Sequence, residues 1–160
     1  MNTGLKLKKI SLILVIGVFF SFTNNNKTYQ TECITIEIDG YITFKIWNPQ
    51  KGALYEAEQA KEDAVYAVLF TGLAGINSCT TQPPILKSNQ DQNKFKEIEK
   101  SFFSKNGKWL LFIASGATQT SLPICLGEKK WKVYQVSISK KELRKYLEDI
   151  NIIKALNRGF

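Results

Sequence analysis

Residues 33–47 read CITIEIDGYITFKIW, with apolar and polar residues alternating on both sides of a central Asp39-Gly40 pair. Strict alternation is typical of a β-strand that buries one face. Asp-Gly between two alternating runs predicts a hairpin, because glycine tolerates the positive φ that a type I′ turn requires. We therefore expect strands at 33–38 and 41–47, joined by a type I′ turn at Asp39-Gly40.

The pattern takes on a helical period between residues 52 and 70. Apolar positions recur every three to four residues, and charged residues take the other side, which predicts an amphipathic helix. Small side chains allow a helix to approach a sheet closely, so we place this helix across the apolar face of the hairpin. Gly72 is expected to end it in a left-handed conformation. The stripe consists of Ala53, Ala57, Ala60, Ala64 and Ala67.

Four further elements are predicted downstream. The spacing of Phe95, Ile98 and Phe102 indicates a second helix. The continuous apolar run at 109–114 favours a central strand, and residues 131–138 favour a fourth strand. The segment Ser139-Lys140-Lys141-Glu142 fits a capping box that starts a last helix. The residues after that helix stay apolar, so we expect them to pack on the domain.

These elements follow the order β-β-α-α-β-β-α. A hairpin, two helices, a second strand pair and a closing helix predict an α+β two-layer sandwich. Its sheet is expected to be four-stranded and mainly antiparallel, with about three helices covering it.

The start of the chain resembles an export signal. Lys6, Lys8 and Lys9 precede residues 10–22, which carry no charge. A basic segment followed by a short apolar stretch is typical of a signal peptide, and a membrane-spanning helix needs about 20 apolar residues. We interpret 1–23 as a signal peptide, 24–32 as a disordered leader and 33–160 as a single globular domain. An uncleaved anchor is the alternative; otherwise the chain is periplasmic or extracellular, with no membrane span after cleavage.

Composition disfavours several function classes. The formal charge is +8, and removing the three lysines of the signal peptide leaves +5, spread along the chain. Nucleic-acid binding requires clustered basic residues, so it is not expected. The chain contains no histidine, which is the usual general base, the commonest zinc ligand and the partner of nucleophilic serine or cysteine. We predict no catalytic residue, no metal site and no cofactor.

Three cysteines are present, at positions 33, 79 and 125. In an oxidising compartment they predict a disulfide, and three pairings are possible. Cys79 and Cys125 both lie in turn-rich segments and can meet more easily than a loop and a strand. We expect a Cys79–Cys125 bond, with Cys33 as a small buried residue or a free thiol.

The tryptophans are the remaining candidates for a binding surface. Trp47, Trp109 and Trp131 lie beside the ends of predicted strands. They could line a surface for a sugar or a peptide, or they could simply pack in the core or at its rim.

Several short patterns resemble an uncharacterised family of small secreted proteins from Bacteroidetes-type bacteria. They are the Ala-rich segment from Ala57 to Gly72, the pairs Phe102-Phe103 and Lys108-Trp109, and the closing segment from Trp131 to Phe160. The helix is also similar to that of LPP20-like envelope domains. The resemblance implies an envelope or secreted location and assigns no activity and no functional residue.

Three functional hypotheses follow from the sequence. The leading one is a non-enzymatic interaction module that contacts an envelope or secreted protein. The second is a small-ligand or glycan binder that uses loops 73–93 and 115–130. The third is an unrecognised hydrolase, which the absence of histidine disfavours.

Overall fold

The computed structural model of this chain describes residues 28–75, 79–120, 125–126 and 129–155. The expected signal peptide therefore lies outside the described residues, as do residues 24–27. Within the described ranges the fold is α+β, and a four-stranded sheet has the order β1-β2-β6-β3, with every neighbouring pair antiparallel. The predicted fold class is confirmed. The strands are β1 (Gln30–Ile36), β2 (Tyr41–Trp47), β3 (Ile113–Gln119) and β6 (Val133–Ser139).

Three α-helices accompany this sheet, namely α1 (Ala57–Tyr66), α2 (Asn89–Phe102) and α3 (Lys140–Asp149). A separate antiparallel pair, β4 (Cys125–Leu126) and β5 (Lys129–Lys130), lies in the chain between β3 and β6. The order of the main elements is the predicted one, and the short β4–β5 pair adds to it.

The first hairpin forms, but its turn is not of type I′. The Gly40 N–H donates to the Glu37 carbonyl at 3.0 Å, and the Glu37 N–H donates to the Tyr41 carbonyl at 2.9 Å. Gly40 has a φ of 86°, whereas Asn151 is the only described residue other than glycine with a positive φ. A type I′ turn needs positive φ at both central residues, so Asp39 excludes it. The loop instead has three residues, and Gly40 closes it.

The ordered domain begins earlier than the sequence suggests. We expected a disordered leader through residue 32, but β1 begins at Gln30, which pairs with Trp47. The Tyr29 ring packs against the core, and its hydroxyl is hydrogen-bonded to the Thr71 hydroxyl at 3.1 Å. Backbone pairing with β2 and the packing of the Tyr29 ring offset the low strand propensity of the polar residues at the start of β1.

The predicted helix at 52–70 is divided into three parts. A 3₁₀ turn (Gly52–Leu54) precedes α1, and a π-helical turn (Ala67–Thr71) follows it. Tyr55 lies between the 3₁₀ turn and α1; its backbone is extended and its side chain is fully buried. Gly72 ends the helical segment with a φ of 73°, as expected. A Cβ at Gly72 would lie 2.4 Å from the Gln82 carbonyl oxygen, so the position also has no room for a side chain.

The apolar run at 109–114 is not a central strand, and that prediction is wrong. Lys108–Phe112 forms a 3₁₀-helix, and β3 starts only at Ile113, at an edge of the sheet. Trp109 and Phe112 are three residues apart and buried, and the Trp109 indole N–H donates to the Ser104 carbonyl at 2.9 Å. The run thus packs on the helix layer, because one turn of 3₁₀-helix brings residues i and i+3 to the same side.

The core lies between the sheet and the helices. Apolar side chains alternate along the two central strands and are buried under the helices, as the sequence pattern predicts. Ring contacts between α2 and its neighbours extend this core, for example Phe95 with Phe70 of the π-helical turn at 5.6 Å. Ile152 and Ile153 are buried, which confirms that the segment after α3 packs on the domain; residues 156–160 lie outside the described ranges.

The disulfide joins Cys33 to Cys79, with their Cα atoms 6.0 Å apart. A disulfide is therefore present, but the expected Cys79–Cys125 pairing is wrong. Cys33 pairs in register with Phe44, and both belong to the buried core. Cys79 lies in the connection that the antiparallel Leu73–Gln82 bridge closes. The alternation that buries Cys33 on the helix side of β1 thus decides the pairing, and Cys125 belongs to the separate β4–β5 pair.

Candidate functional site

Two of the three tryptophans, Trp47 and Trp109, are buried and present no open ring face for stacking on a sugar. Trp47 and Trp109 expose 9% and 5% of their surface. Trp131 is partly exposed and lies two residues before Val133, the register partner of Trp47. Trp47 and Trp131 therefore share one end of the sheet, whereas Trp109 packs in the helix layer against Phe103.

The two segments expected to be long binding loops contain much regular backbone pairing. In the first, Ile85 and Leu86 donate to the carbonyls of Val68 and Leu69, and α2 already begins at residue 89. In the second, β3 continues to Gln119 and the β4–β5 pair forms; residues 121–124 and 127–128 lie outside the described ranges. Backbone hydrogen bonds therefore hold 85–86 and β3 to the domain, whereas β4 and β5 pair with each other in a separate sheet.

An apolar groove lies between α2, the 3₁₀-helix Lys108–Phe112 and the end of α3. We term it the α2–α3 groove. Its volume is about 1010 Å³. Leu111 is 70% exposed, and Ile150 and Leu110 are 38% and 37% exposed. The apolar lining consists of Ile98, Phe102, Leu110, Leu111, Tyr146, Ile150 and Ile152.

Local helix geometry produces this groove. The 3₁₀-helix directs Trp109 and Phe112 into the core and leaves the two leucines between them outside. On α3, Leu143 and Leu147 are buried, whereas the neighbouring positions Tyr146 and Ile150 line the groove. The groove is therefore bordered on both sides by helices whose inner faces already belong to the core.

Asn151 and Lys94 define one end of the groove. Asn151 follows α3 with a φ of 58°, a left-handed conformation that asparagine tolerates. The chain then turns inward, and the Lys94 ammonium on α2 donates to the Asn151 carbonyl at 3.0 Å. This contact ties the middle of α2 to the segment that follows α3.

The margin of the groove is polar and more basic than acidic. Lys94, Glu97 and Lys108 line it, and a smaller cavity next to it is lined by Lys154 and Glu148. The carboxylate of Glu148 lies 2.9 Å from the Arg144 guanidinium, which compensates its charge. Among the described residues, three lysines of this margin thus face one carboxylate outside an ion pair, that of Glu97.

A second polar cluster is buried beneath α1. The Tyr55 hydroxyl donates to one oxygen of Asp63 and the Gln59 amide to the other, both at 3.1 Å, and the Tyr134 hydroxyl donates to the Tyr55 carbonyl at 3.2 Å. Burial and the negative charge of Asp63 raise the pKa of Tyr55. These groups satisfy one another inside the fold, so the cluster fixes α1 against Tyr55 and β6.

Within residues 28–75, 79–120, 125–126 and 129–155, no group of three or more His, Cys, Asp or Glu side chains could hold a metal ion. None of the described helices has the length and hydropathy needed to cross a membrane.

Comparison with family models, with curated proteins and with solved structures finds no match to this chain. The α2–α3 groove is therefore the feature of the described residues from which a function can be argued. The sequence does not predict this groove, because the apolar run that includes residues 109–112 favours a strand. The signal was the pair Leu110-Leu111 between two aromatic residues, which a 3₁₀ turn leaves exposed.

Proposed function

We propose that this chain is an exported, non-enzymatic module that binds an envelope or secreted protein through the α2–α3 groove. The observation that carries the proposal is the exposure of Leu111, Leu110 and Ile150 around one concave surface. Scattered apolar residues are common on protein surfaces, but a contiguous apolar surface with a polar margin marks an interaction site. Grooves between helices are a recurrent way to recognise a partner segment.

The size of the exposed side chains supports a protein partner. Full burial of a leucine or isoleucine side chain is worth roughly 1.5–3 kcal/mol, and Leu111, as the most exposed of the three, gains most when covered. Residues of this kind, surrounded by a polar rim, are typical anchors of protein interfaces.

The compartment is argued from the disulfide and from the start of the chain. A bond between Cys33 and Cys79 is compatible with an oxidising environment such as the periplasm or the cell exterior. The basic and apolar segment at 1–22 supports the same route. The family of secreted proteins that the sequence resembles has this location too.

Photocrosslinking in the native host tests the proposal. A photoreactive phenylalanine analogue replaces Leu111, and in a matched control it replaces Leu54, which is 82% exposed and lies in the 3₁₀ turn after β2. We expect a discrete adduct with one exported protein from position 111 and none from position 54. Adding Ile150→Asp, a change at a partly exposed position, should abolish the adduct while the circular dichroism spectrum stays unchanged.

Two results would overturn the proposal. One is the absence of any adduct from position 111 when the protein is present at its normal level. The other is the same set of adducts from positions 111 and 54, which would mean non-specific capture.

A further inference from the structure

The dimensions of the α2–α3 groove limit what can enter it. Lys94 and Ser104 line it at two ends and are ten residues apart. α2 ends at Phe102, so the helical part of this wall spans eight residues, about 12 Å at a rise of 1.5 Å per residue. A row of side chains at i, i+4 and i+7 of a helix spans about 10.5 Å and fits that length, with the backbone that carries the row lying above the groove.

The walls of the groove decide the conformation of that backbone. The described lining residues come from α2, the 3₁₀-helix Lys108–Phe112, the end of α3 and the turns beside them, and none of them belongs to a β-strand. An extended segment lying here would find no strand edge with which to pair its own backbone groups. A helix satisfies its backbone internally and presents a row of side chains at i, i+4 and i+7.

The charged side chains along the groove margin determine which residues of an occupant can lie beside that row. Lys94, Lys108 and Lys154 lie along the margin, and among the described lining residues Glu97 is the one carboxylate outside an ion pair with another described residue. Acidic residues beside the apolar row would complement this margin, and basic ones would be repelled.

We infer that the occupant of the α2–α3 groove is an amphipathic helix of a partner protein, with an apolar row facing the groove and acidic residues beside that row. The inference rests on the proposed function, because it names the kind of partner that the same surface takes. A membrane surface fits the observations less well, since the apolar residues line a concave surface and a bilayer is contacted by protruding ones.

Three synthetic helices test this inference by fluorescence anisotropy with the oxidised protein. Each is cross-linked into a helix of about 14 residues, long enough to exceed the groove. The first carries leucines at i, i+4 and i+7 with flanking glutamates, the second has lysines instead of the glutamates, and the third has serines instead of the leucines. We expect the glutamate peptide to bind about tenfold more tightly than the lysine peptide, because each exposed ion pair contributes up to a few-fold. The serine peptide should not bind.

Variants of the protein assign the binding to the groove. Leu111→Asp should abolish binding of the glutamate peptide, while Leu54→Asp should leave it unchanged. The double variant Lys108→Glu/Lys154→Glu should reverse the order of the two charged peptides. Raising the salt concentration should reduce the difference between them, since exposed charges are screened.

The outcomes separate this inference from the proposed function. Equal binding of the two charged peptides, or tighter binding of the lysine peptide, would overturn the inference while an adduct from position 111 keeps the proposed function. Binding to phosphatidylglycerol vesicles that Leu111→Asp abolishes, without binding of any peptide, would assign the groove to a membrane. Dimerisation that Leu111→Asp abolishes would assign it to a second copy of the chain.

Discussion

Two tyrosine hydroxyls, those of Tyr29 and Tyr55, lie where ionisation is unfavourable. Burial raises the pKa of Tyr29 to about 12, with a smaller contribution from the charge of Asp63, although the hydrogen bond to Thr71 acts in the other direction. Burial and Asp63 likewise raise the pKa of Tyr55. Both residues join the segment around α1 to the sheet, so their state of ionisation is coupled to the fold.

Alkaline pH should therefore destabilise the protein through Tyr29. In the unfolded chain this tyrosine loses its proton near pH 10, and in the folded chain near pH 12. Between these values the unfolded state binds fewer protons than the folded state, so the free energy of unfolding falls as pH rises. The stabilisation is fully present below pH 10, and about 2 kcal/mol of it should be lost by pH 12.

Urea unfolding across this pH range measures the loss. Tyr29→Phe should flatten the decline, because phenylalanine keeps the ring and has no proton to lose. The tyrosinate absorbance of the folded protein should show that Tyr29 and Tyr55 do not ionise at pH 11. Titration of all six tyrosines near pH 10 in the folded protein would contradict the prediction.

At the scale of elements, the starts of α2 and α3 differ in how they are capped. The Ser88 hydroxyl accepts a hydrogen bond from the Asp91 N–H at 3.0 Å at the start of α2. Ser139 holds the corresponding position before α3, but its hydroxyl caps nothing and is buried without a hydrogen-bond partner. α3 thus begins at the predicted position, but the capping box expected at Ser139 does not form, and that prediction is wrong.

Matched substitutions should separate these two serines. Ser88→Ala should lower the free energy of unfolding by about 1 kcal/mol, because it removes a cap that satisfies a helix N–H. Ser139→Ala should be neutral or slightly stabilising, because it removes a buried hydroxyl that makes no bond. Chemical denaturation of both variants with the parent protein measures the difference. A loss at Ser139 equal to that at Ser88 would show that the buried hydroxyl is paired in solution.

Elements with a clear period could be predicted, and those without one could not. Ile42, Phe44 and Ile46 alternate with polar residues, and this pattern fixes both the strand and the face it buries. Residues 109–112 are all apolar, so they carry no period that distinguishes a strand from a helical turn. Tertiary contacts decide there, since Trp109 and Phe112 pack on the helix layer.

The candidate site escaped prediction for a related reason. Its lining comes from α2, the 3₁₀-helix and α3, so that Ile98 and Tyr146 meet across a wide separation in sequence. A single-sequence pattern reports which face of one helix is apolar, but not which part of that face a neighbouring helix leaves uncovered. Ile150 fits the buried stripe of α3 by its spacing and is nonetheless 38% exposed.

At the scale of the whole molecule, the disulfide joins the two layers of the fold. Cys33 belongs to the edge strand β1, and Cys79 belongs to the connection that runs from the end of α1 towards α2. The two residues are 46 positions apart in sequence, and both sulfurs lie in the core. The bond therefore restrains an edge of the sheet and a long connection at the same time.

Removal of this bond should cost about 4 kcal/mol, which is the chain-entropy value for a loop of this length. Because a domain of this size is stable by roughly 5–15 kcal/mol, the variant Cys33→Ala/Cys79→Ala should remain folded but unfold at much lower urea concentration. Cys125→Ala is the matched control and should leave the unfolding midpoint unchanged, because Cys125 takes no part in the Cys33–Cys79 bond.

Reducing agent should lower the unfolding midpoint of the parent protein and of the control alike, and should not change that of the double variant. Thiol titration of the denatured, unreduced protein should find one free sulfhydryl, and a peptide map should place it at Cys125. A peptide map that links Cys79 to Cys125, or a control variant as unstable as the double variant, would refute both the Cys33–Cys79 pairing and the restraint that this bond places on β1.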